Sequence, residues 1–174
     1  IGGRSSEICL GQGSHLEKAI SCPIGSVACA QRFFGDGVLH ADRFAAAHAH
    51  AHALLRTHMA DWNNATWEQV WGSSGTAGAI SKALHQAGYP AGEITRPTLF
   101  QLQQQLILAG HIDRLPLQGL REELRPVIAG GVSVMCAVFD TFQLQHMRIA
   151  QGALRHGVLF DLQQSLQSGA APAA

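Results

Sequence analysis

The stretch "PVIAGGVSVMCAVFDTF", residues 126–142, constrains the fold more than any other, because Asp140 is its single charged residue. Read as a helix it is apolar on most sides and rich in small residues, and a helix without a polar face has to be covered all round. The fold must therefore layer other elements about it. A chain of 174 residues can do so as one domain without disulfide or metal staples, since a domain of that size buries roughly 70% of the surface its unfolded chain exposes.

Hydrophobic periodicity supplies those layers. Residues 6–10 and 15–22 are β-type runs around the Gly-rich turn "GQGS", the pattern of a hairpin. "SVACAQRFF" predicts a short helix closed by Gly35 and Gly37, and a longer Ala-rich helix follows to about residue 60 with Asp42 as its N-cap. "WEQVWG" predicts a brief strand and residues 77–87 a helix stopped by Gly88 and Pro90. In "ITRPTLFQLQQQLILAG", Thr95 caps a helix, Pro97 falls in its first turn, and Leu99, Leu102, Leu106 and Ile107 make its apolar face. "HIDRLPLQG" reads as a loop, "QHMRIAQG" as a strand and "ALRHGVLFDLQQSL" as a last helix. The order predicts a layered α/β fold, with a domain over residues 1–165 and a flexible tail over 166–174. A sheet of four strands that opens on a turn also predicts one more strand before Ile1.

Composition names no partner by charge. Lys and Arg number 12 and Asp and Glu 12, so the basic footprint of a nucleic-acid binder is missing. Apolar runs are expected to break before the ~18–20 residues of a membrane span, and no signal-peptide pattern is read at the start. Cys9, Cys22, Cys29 and Cys136 lack metal or disulfide spacing, which predicts reduced thiols and a cytoplasmic protein.

Two glycine- and hydroxyl-rich corners carry the chemistry. "IGGRSSE" has the look of a trypsin-type N-terminus, but a triad protease needs a Gly-Asp-Ser-Gly loop on a β-barrel, and this chain has neither. "WGSSGTAGAI" misses the hydrolase-elbow spacing and the Walker lysine. Instead Gly72, Ser73, Ser74, Gly75 and Thr76 lie between a strand and a helix, where backbone N–H groups and the helix dipole receive an anion. Gly2 and Gly3 permit close approach or positive φ, Ser5 and Ser6 supply hydroxyls, and Glu7 offers a carboxylate to Mg²⁺ or its water. The bland alternatives are an ordinary capped helix and a β-turn with a solvated acid. Two such corners in one α/β domain are what gripping both ends of a phosphate chain requires. The tract "AAAHAHAHALLRTH" puts His48 and His52 on one helical face and reads as solvated rather than metal-binding, for want of further ligands.

The segments "IGGRSSE", "ISCPIGSVACAQRFF", "WGSSGTAGAI", "GEITRPTLFQL", "PVIAGGVSVMCAVFD" and "GALRHGVLFDL" together resemble, in order, the landmarks of the exopolyphosphatase/guanosine pentaphosphate phosphohydrolase (Ppx/GppA) family. The resemblance implies the second domain of an actin-like, ribonuclease-H-like enzyme, with the active site in the cleft between two domains and the chain starting inside a phosphate-binding turn. It implies Mg²⁺-dependent release of terminal phosphate from polyphosphate or guanosine pentaphosphate, with Glu7 on the metal side and catalytic. Gly2, Gly3, Ser5, Ser6 and residues 72–76 then contact phosphate. An aspartate partner would precede Ile1 and a further catalytic glutamate would lie in the first domain, so the chain alone is expected to be nearly inactive. Arg4 replaces the family's third glycine, and Leu124 stands where an arginine is frequent, with Arg125 one step along; both arginines are candidates for phosphate or nucleotide contact. The alternative is a guanosine tetraphosphate or nucleotide sensor; an actin-like sugar or acyl kinase is a third reading. Expected partners are the phosphate substrate and the first domain, with a homodimer left open and neither membrane nor nucleic acid.

Overall fold

The computed structural model describes residues 1–62, 65–115, 122–152 and 154–168. In chain order the elements are β1 (Ser6–Gln12), β2 (His15–Cys22), α1 (Ser26–Phe33), α2 (Ala41–Arg56), β3 (Trp71–Gly72), α3 (Gly75–Gln86), β4 (Glu93–Thr95), α4 (Arg96–Ala109), α5 (Ile128–Thr141), β5 (His146–Ile149) and α6 (Leu154–Ser168). The expected tail thus continues as helix through residue 168, and residues 169–174 lie outside the described residues.

α5 is the hub that its composition demands. Twelve of its residues are buried, and α1, α2, α3 and α4 all pack on it. Glycine makes the closest of these contacts. A Cβ on Gly130 would fall 2.5 Å from Ala30 N and closer still to Ser26 O, so α1 lies backbone to backbone against α5. The stretch Leu124–Thr141 does reach 18 residues at a mean hydropathy of 1.3, longer than the sequence reading allowed, and 67% of it is buried within the protein. It is the centre of this core.

α4 begins as its sequence predicts. The Thr95 hydroxyl accepts from Thr98 N at 3.3 Å while Thr98 Oγ1 accepts from Thr95 N at 3.0 Å, a reciprocal cap. It ends on Gly110 at φ 69°, the left-handed turn that glycine adopts without a Cβ penalty. Leu99, Leu102 and Leu106 are buried and Ile107 packs at the margin of the core.

α2 differs from expectation at both ends. Its N-cap is His40 rather than Asp42, which sits in the first turn where a negative charge faces the helix dipole. The α-helix stops at Arg56, and a 3₁₀ turn, Met59–Trp62, follows. Nor is its histidine face simply solvated. His48 Nε2 lies 2.7 Å from Asp140 Oδ2 on α5, Arg96 pairs with the other oxygen of the same carboxylate, and His50 packs on Phe33. Two elements 92 positions apart supply His48 and Asp140, a separation no periodicity reveals.

The strands form two sheets rather than one. β1 and β2 make an antiparallel hairpin with a bulge after Leu10. The second sheet has the order β3-β5-β4, with β3 parallel and β4 antiparallel to β5. β4, three residues long, went unread in the sequence because such a run cannot show alternation; its pairing with β5 makes it a strand. β3 is shorter than the predicted 67–72 run, keeping only Trp71 and Gly72.

Candidate phosphate site

The first corner folds back onto α1. Ser26 N donates to Gly2 O at 2.9 Å, and Val27 N and Ala28 N donate to Gly3 O at 2.9 and 3.0 Å. Gly25, the N-cap of α1, makes no side-chain cap bond, so these two carbonyls satisfy helix amides that would otherwise lack acceptors. Gly25 itself is a contact plate, since a Cβ there would lie 2.5 Å from Arg4 N and from Gly3 C. The Gly2 N–H is also committed, to Ser5 O at 2.8 Å. Among the described residues, the amides of Gly3, Arg4 and Ser5 donate to no backbone carbonyl.

Neither Gly2 nor Gly3 has positive φ, and neither does Arg4. Arginine in place of the family's glycine therefore strains nothing in this turn. Ser6 is 1% exposed, and its hydroxyl donates to Ile24 O at 2.6 Å. That bond takes the Ser6 hydroxyl out of the anion-facing set in which the sequence reading had placed it. Ser5 Oγ donates to Glu7 Oε1 at 2.5 Å, and Ser21 Oγ to the same oxygen at 3.3 Å. The Ser5 bond is the main cause that holds the Glu7 carboxyl below its ordinary range, against the opposing effect of burial and with further help from Ser21. Glu7 is exposed and ionised, with Oε2 taking neither hydroxyl.

The second corner is built outward. Ser74 caps α3 by accepting Ala77 N at 3.2 Å, and the amides of Gly75 and Thr76 stand at the first two helical positions. A Cβ on Gly75 would meet nothing within 4 Å, so this glycine leaves the approach to the helix end open. Gly72 serves packing instead, because a Cβ there would lie 2.7 Å from Met147 Sδ and 3.0 Å from the Ala77 Cβ.

α5 brings the corners together. A Cβ on Gly131 would lie 2.7 Å from Thr76 Cγ2 and 3.5 Å from Ser26 Cβ; Ser26 in turn holds Gly2 O through both its amide and its hydroxyl. The first turns of α1, α3 and α5 thus meet beside both corners. Adjoining this junction is a cleft of about 990 Å³ whose walls include Ile1, Glu7, Gly72, Ser73 and Ser74. Gly25 and Ser26, which neither glycine-rich corner includes, join Gly130 and Gly131 of the small-residue-rich helix as the organising residues. "PIGS" repeats the glycine-hydroxyl pattern of the other corners, and that was the available signal.

Arg125 lies outside the cleft lining. It sits in the 3₁₀ turn Glu122–Val127 ahead of α5, 3.9 Å from Glu122 Oε1, with a buried Nε that makes no hydrogen bond among the described residues. Leu124 packs against the core. Among the described residues no three His, Cys, Asp or Glu side chains converge. Mg²⁺, however, commonly takes one or two carboxylates and completes its shell with phosphate and water, a habit that the lone, ionised Glu7 suits.

Comparison with known proteins bears on the family and the fold. The profile described as the Ppx/GppA phosphatase family matches residues 1–166. A guanosine-5'-triphosphate,3'-diphosphate pyrophosphatase of Aeromonas salmonicida is 36% identical over 162 residues, 93% of this chain and 32% of that protein. A Haemophilus influenzae protein with a provisional exopolyphosphatase name is 33% identical over 167 residues, 96% of this chain and 52% of its own length. The chain therefore spans about a third to a half of these curated relatives. A solved exopolyphosphatase of Cytophaga hutchinsonii superposes with a TM-score of 0.76 at 20% identity, covering 100% of this chain and 57% of the other, which shows a shared fold. With six motifs in order, a common fold and a profile match over nearly its whole length, the chain belongs to the Ppx/GppA phosphatase family.

Proposed function

We propose that this chain is the phosphate-gripping part of a Mg²⁺-dependent phosphoanhydride hydrolase, a longer two-domain enzyme that removes the terminal phosphate of polyphosphate or guanosine pentaphosphate. The observation that carries the proposal is the meeting of two Gly/Ser corners and three helix first turns at Gly131. Fixed amide dipoles of this kind stabilise charge that builds on phosphoryl oxygens, and they need no reorganisation during reaction.

In this reading the amides of Gly75 and Thr76 and those of Gly3, Arg4 and Ser5 hold the anionic oxygens. The Arg4 side chain, which is exposed, adds positive charge at the same corner. Glu7, oriented by Ser5 and Ser21, positions water for in-line attack on the terminal phosphorus. The P–O bond to the bridging oxygen breaks, and inorganic phosphate leaves with the chain one unit shorter. Glu7 would be the residue that holds Mg²⁺, whose bound charge would lower the cost of the transition state. Family names such as pyrophosphatase and exopolyphosphatase support the substrate class, and four free cysteines support a cytoplasmic setting.

Two measurements test the proposal. Titrating the chain with tripolyphosphate and Mg²⁺ should shift the backbone amide resonances of residues 3–5 and 73–76 together; shifts confined to other surfaces would remove the site. In the full-length protein, phosphate release from polyphosphate or guanosine pentaphosphate should require Mg²⁺ and fall by roughly 10²–10⁴-fold in Glu7→Gln, the usual contribution of a positioned acid or base. Tight binding without turnover would mark a nucleotide sensor instead.

A further inference from the structure

The single charge of the buried helix serves a histidine. Asp140 lies near the end of α5, where Arg96, the first residue of α4, pairs with its Oδ1. The same guanidinium donates from Nη2 to Phe139 O at 3.0 Å and from Nε to Leu144 O at 3.3 Å. The carboxylate so anchored offers Oδ2 to His48 Nε2 at 2.7 Å. In the neutral ring this bond fixes the tautomer: Nε2 carries the proton, and the lone pair of Nδ1 is left for another partner. A carboxylate that receives one ring N–H is the support found behind histidines that ligate metals.

One helical turn along α2, the ring of His52 lies within 12° of parallel to that of His48, with ring centres 5.8 Å apart. Among the described residues no hydrogen bond or ion pair commits its nitrogens. A metal–nitrogen bond of about 2.1 Å, with about 1.1 Å more to the ring centre, sets two rings on one ion at most ~6.4 Å apart. The observed 5.8 Å lies inside that reach, and the unbonded His52 ring is free to turn toward His48. His50 is no part of the pair, since it packs on Phe33 of α1 with ring centres 5.6 Å apart.

We propose that His48 and His52 form a two-imidazole chelating site for one borderline divalent transition-metal ion, Zn²⁺ in the first instance, with Asp140 and Arg96 supporting His48 from behind. Among the described residues no third His, Cys, Asp or Glu converges on the pair, so water fills the remaining positions. The sequence reading judged the tract by its number of ligands; the fold supplies a built support for one of the two instead of a third. Imidazole nitrogen selects Zn²⁺, Ni²⁺ or Cu²⁺ over Mg²⁺, so the ion differs in kind from the one proposed at Glu7. A bound ion would tie α2 through Asp140 to α5 and α4. The inference does not rest on the phosphate chemistry proposed above.

The probe is Zn²⁺ alone, titrated into the ¹⁵N-labelled 174-residue chain and followed at the histidine ring nitrogens by NMR. His48 Nδ1 and one nitrogen of His52 should shift together, while the His48 Nε2 proton is retained and the His50 ring is unmoved. His52→Ala should weaken binding roughly tenfold or more, because chelation is lost. Asp140→Asn should weaken it roughly 10–100-fold, the usual cost of removing a partner behind a ligand; the wild-type ring shifts decide the matter even where that variant fails to fold. Excess Zn²⁺ should raise the urea midpoint of the wild type and not that of His52→Ala, and excess Mg²⁺ should displace nothing. Zn²⁺ binding that leaves these two rings unshifted, as capture by the exposed Cys9 thiol would, would overturn the site. So would ligation of His48 through Nε2 with release of Asp140, or undiminished binding in His52→Ala.

Discussion

The two glycine-rich corners have nearly the same composition and different work. At the first, the carbonyls of Gly2 and Gly3 cap α1, Ser6 bonds Ile24 and Ser5 bonds Glu7, so most of its polar groups are consumed within the protein. At the second, Ser74 alone closes the cap and Gly75 opens on space. One corner is structural support that presents a carboxylate; the other is an exposed helix start. Glycine and serine in a turn therefore do not by themselves state which partner they serve. The neighbouring backbone decides, and here that neighbour is a glycine of another helix.

Substitutions can sharpen or break this contrast. The largest effect is expected where glycine is a contact plate: Gly130→Ala and Gly25→Ala force a Cβ against backbone atoms and should cost about 3 kcal/mol or more of unfolding free energy in urea melts, at the high end of overpacking penalties. Gly75→Ala should leave stability within about 0.5 kcal/mol, because its Cβ meets open space, while weakening tripolyphosphate binding. A stable Gly25→Ala protein would erase the distinction between the corners.

A middle effect is expected for the cap. Ser74→Ala removes the acceptor of Ala77 N and should cost about 1 kcal/mol, measurable in the same melts, whereas Ser73→Ala should change little.

The smallest effect is electrostatic. Ser5→Ala should raise the Glu7 pKa toward the ordinary carboxylate value in an NMR titration, since the Ser5 hydroxyl is the main cause of its depression. A carboxyl whose folded pKa is depressed stabilises the fold above its unfolded pKa, and that contribution fades as pH falls through the folded value. The wild-type chain should therefore lose this contribution on acidification and Ser5→Ala should lose less. An unchanged Glu7 titration in Ser5→Ala would show that the hydroxyl does not hold the carboxylate.

Local physics made much of this molecule legible in advance. The run at 126–142, with Asp140 its single charge, had to be a covered helix, Thr95 with Pro97 had to open α4, and the hairpin at residues 6–22 follows from alternation around a glycine turn. Each depends on groups within a few residues of one another. The corners were also readable as anion-tolerant turns, because glycine, hydroxyls and a following helix are local features.

Tertiary structure alone decided what those corners do. That Ser6 turns inward to Ile24, that His48 reaches Asp140, that β4 is a strand at all and that Gly131 stands between Thr76 and Ser26 are facts about groups 18 to 92 positions apart or more. The sequence by itself determined which segments could be helices, strands and turns, since backbone preference and side-chain period act over short range. Which polar group each turn spends on the fold and which it leaves for a ligand depends on the backbone packed against it, and only the folded chain brings that backbone near.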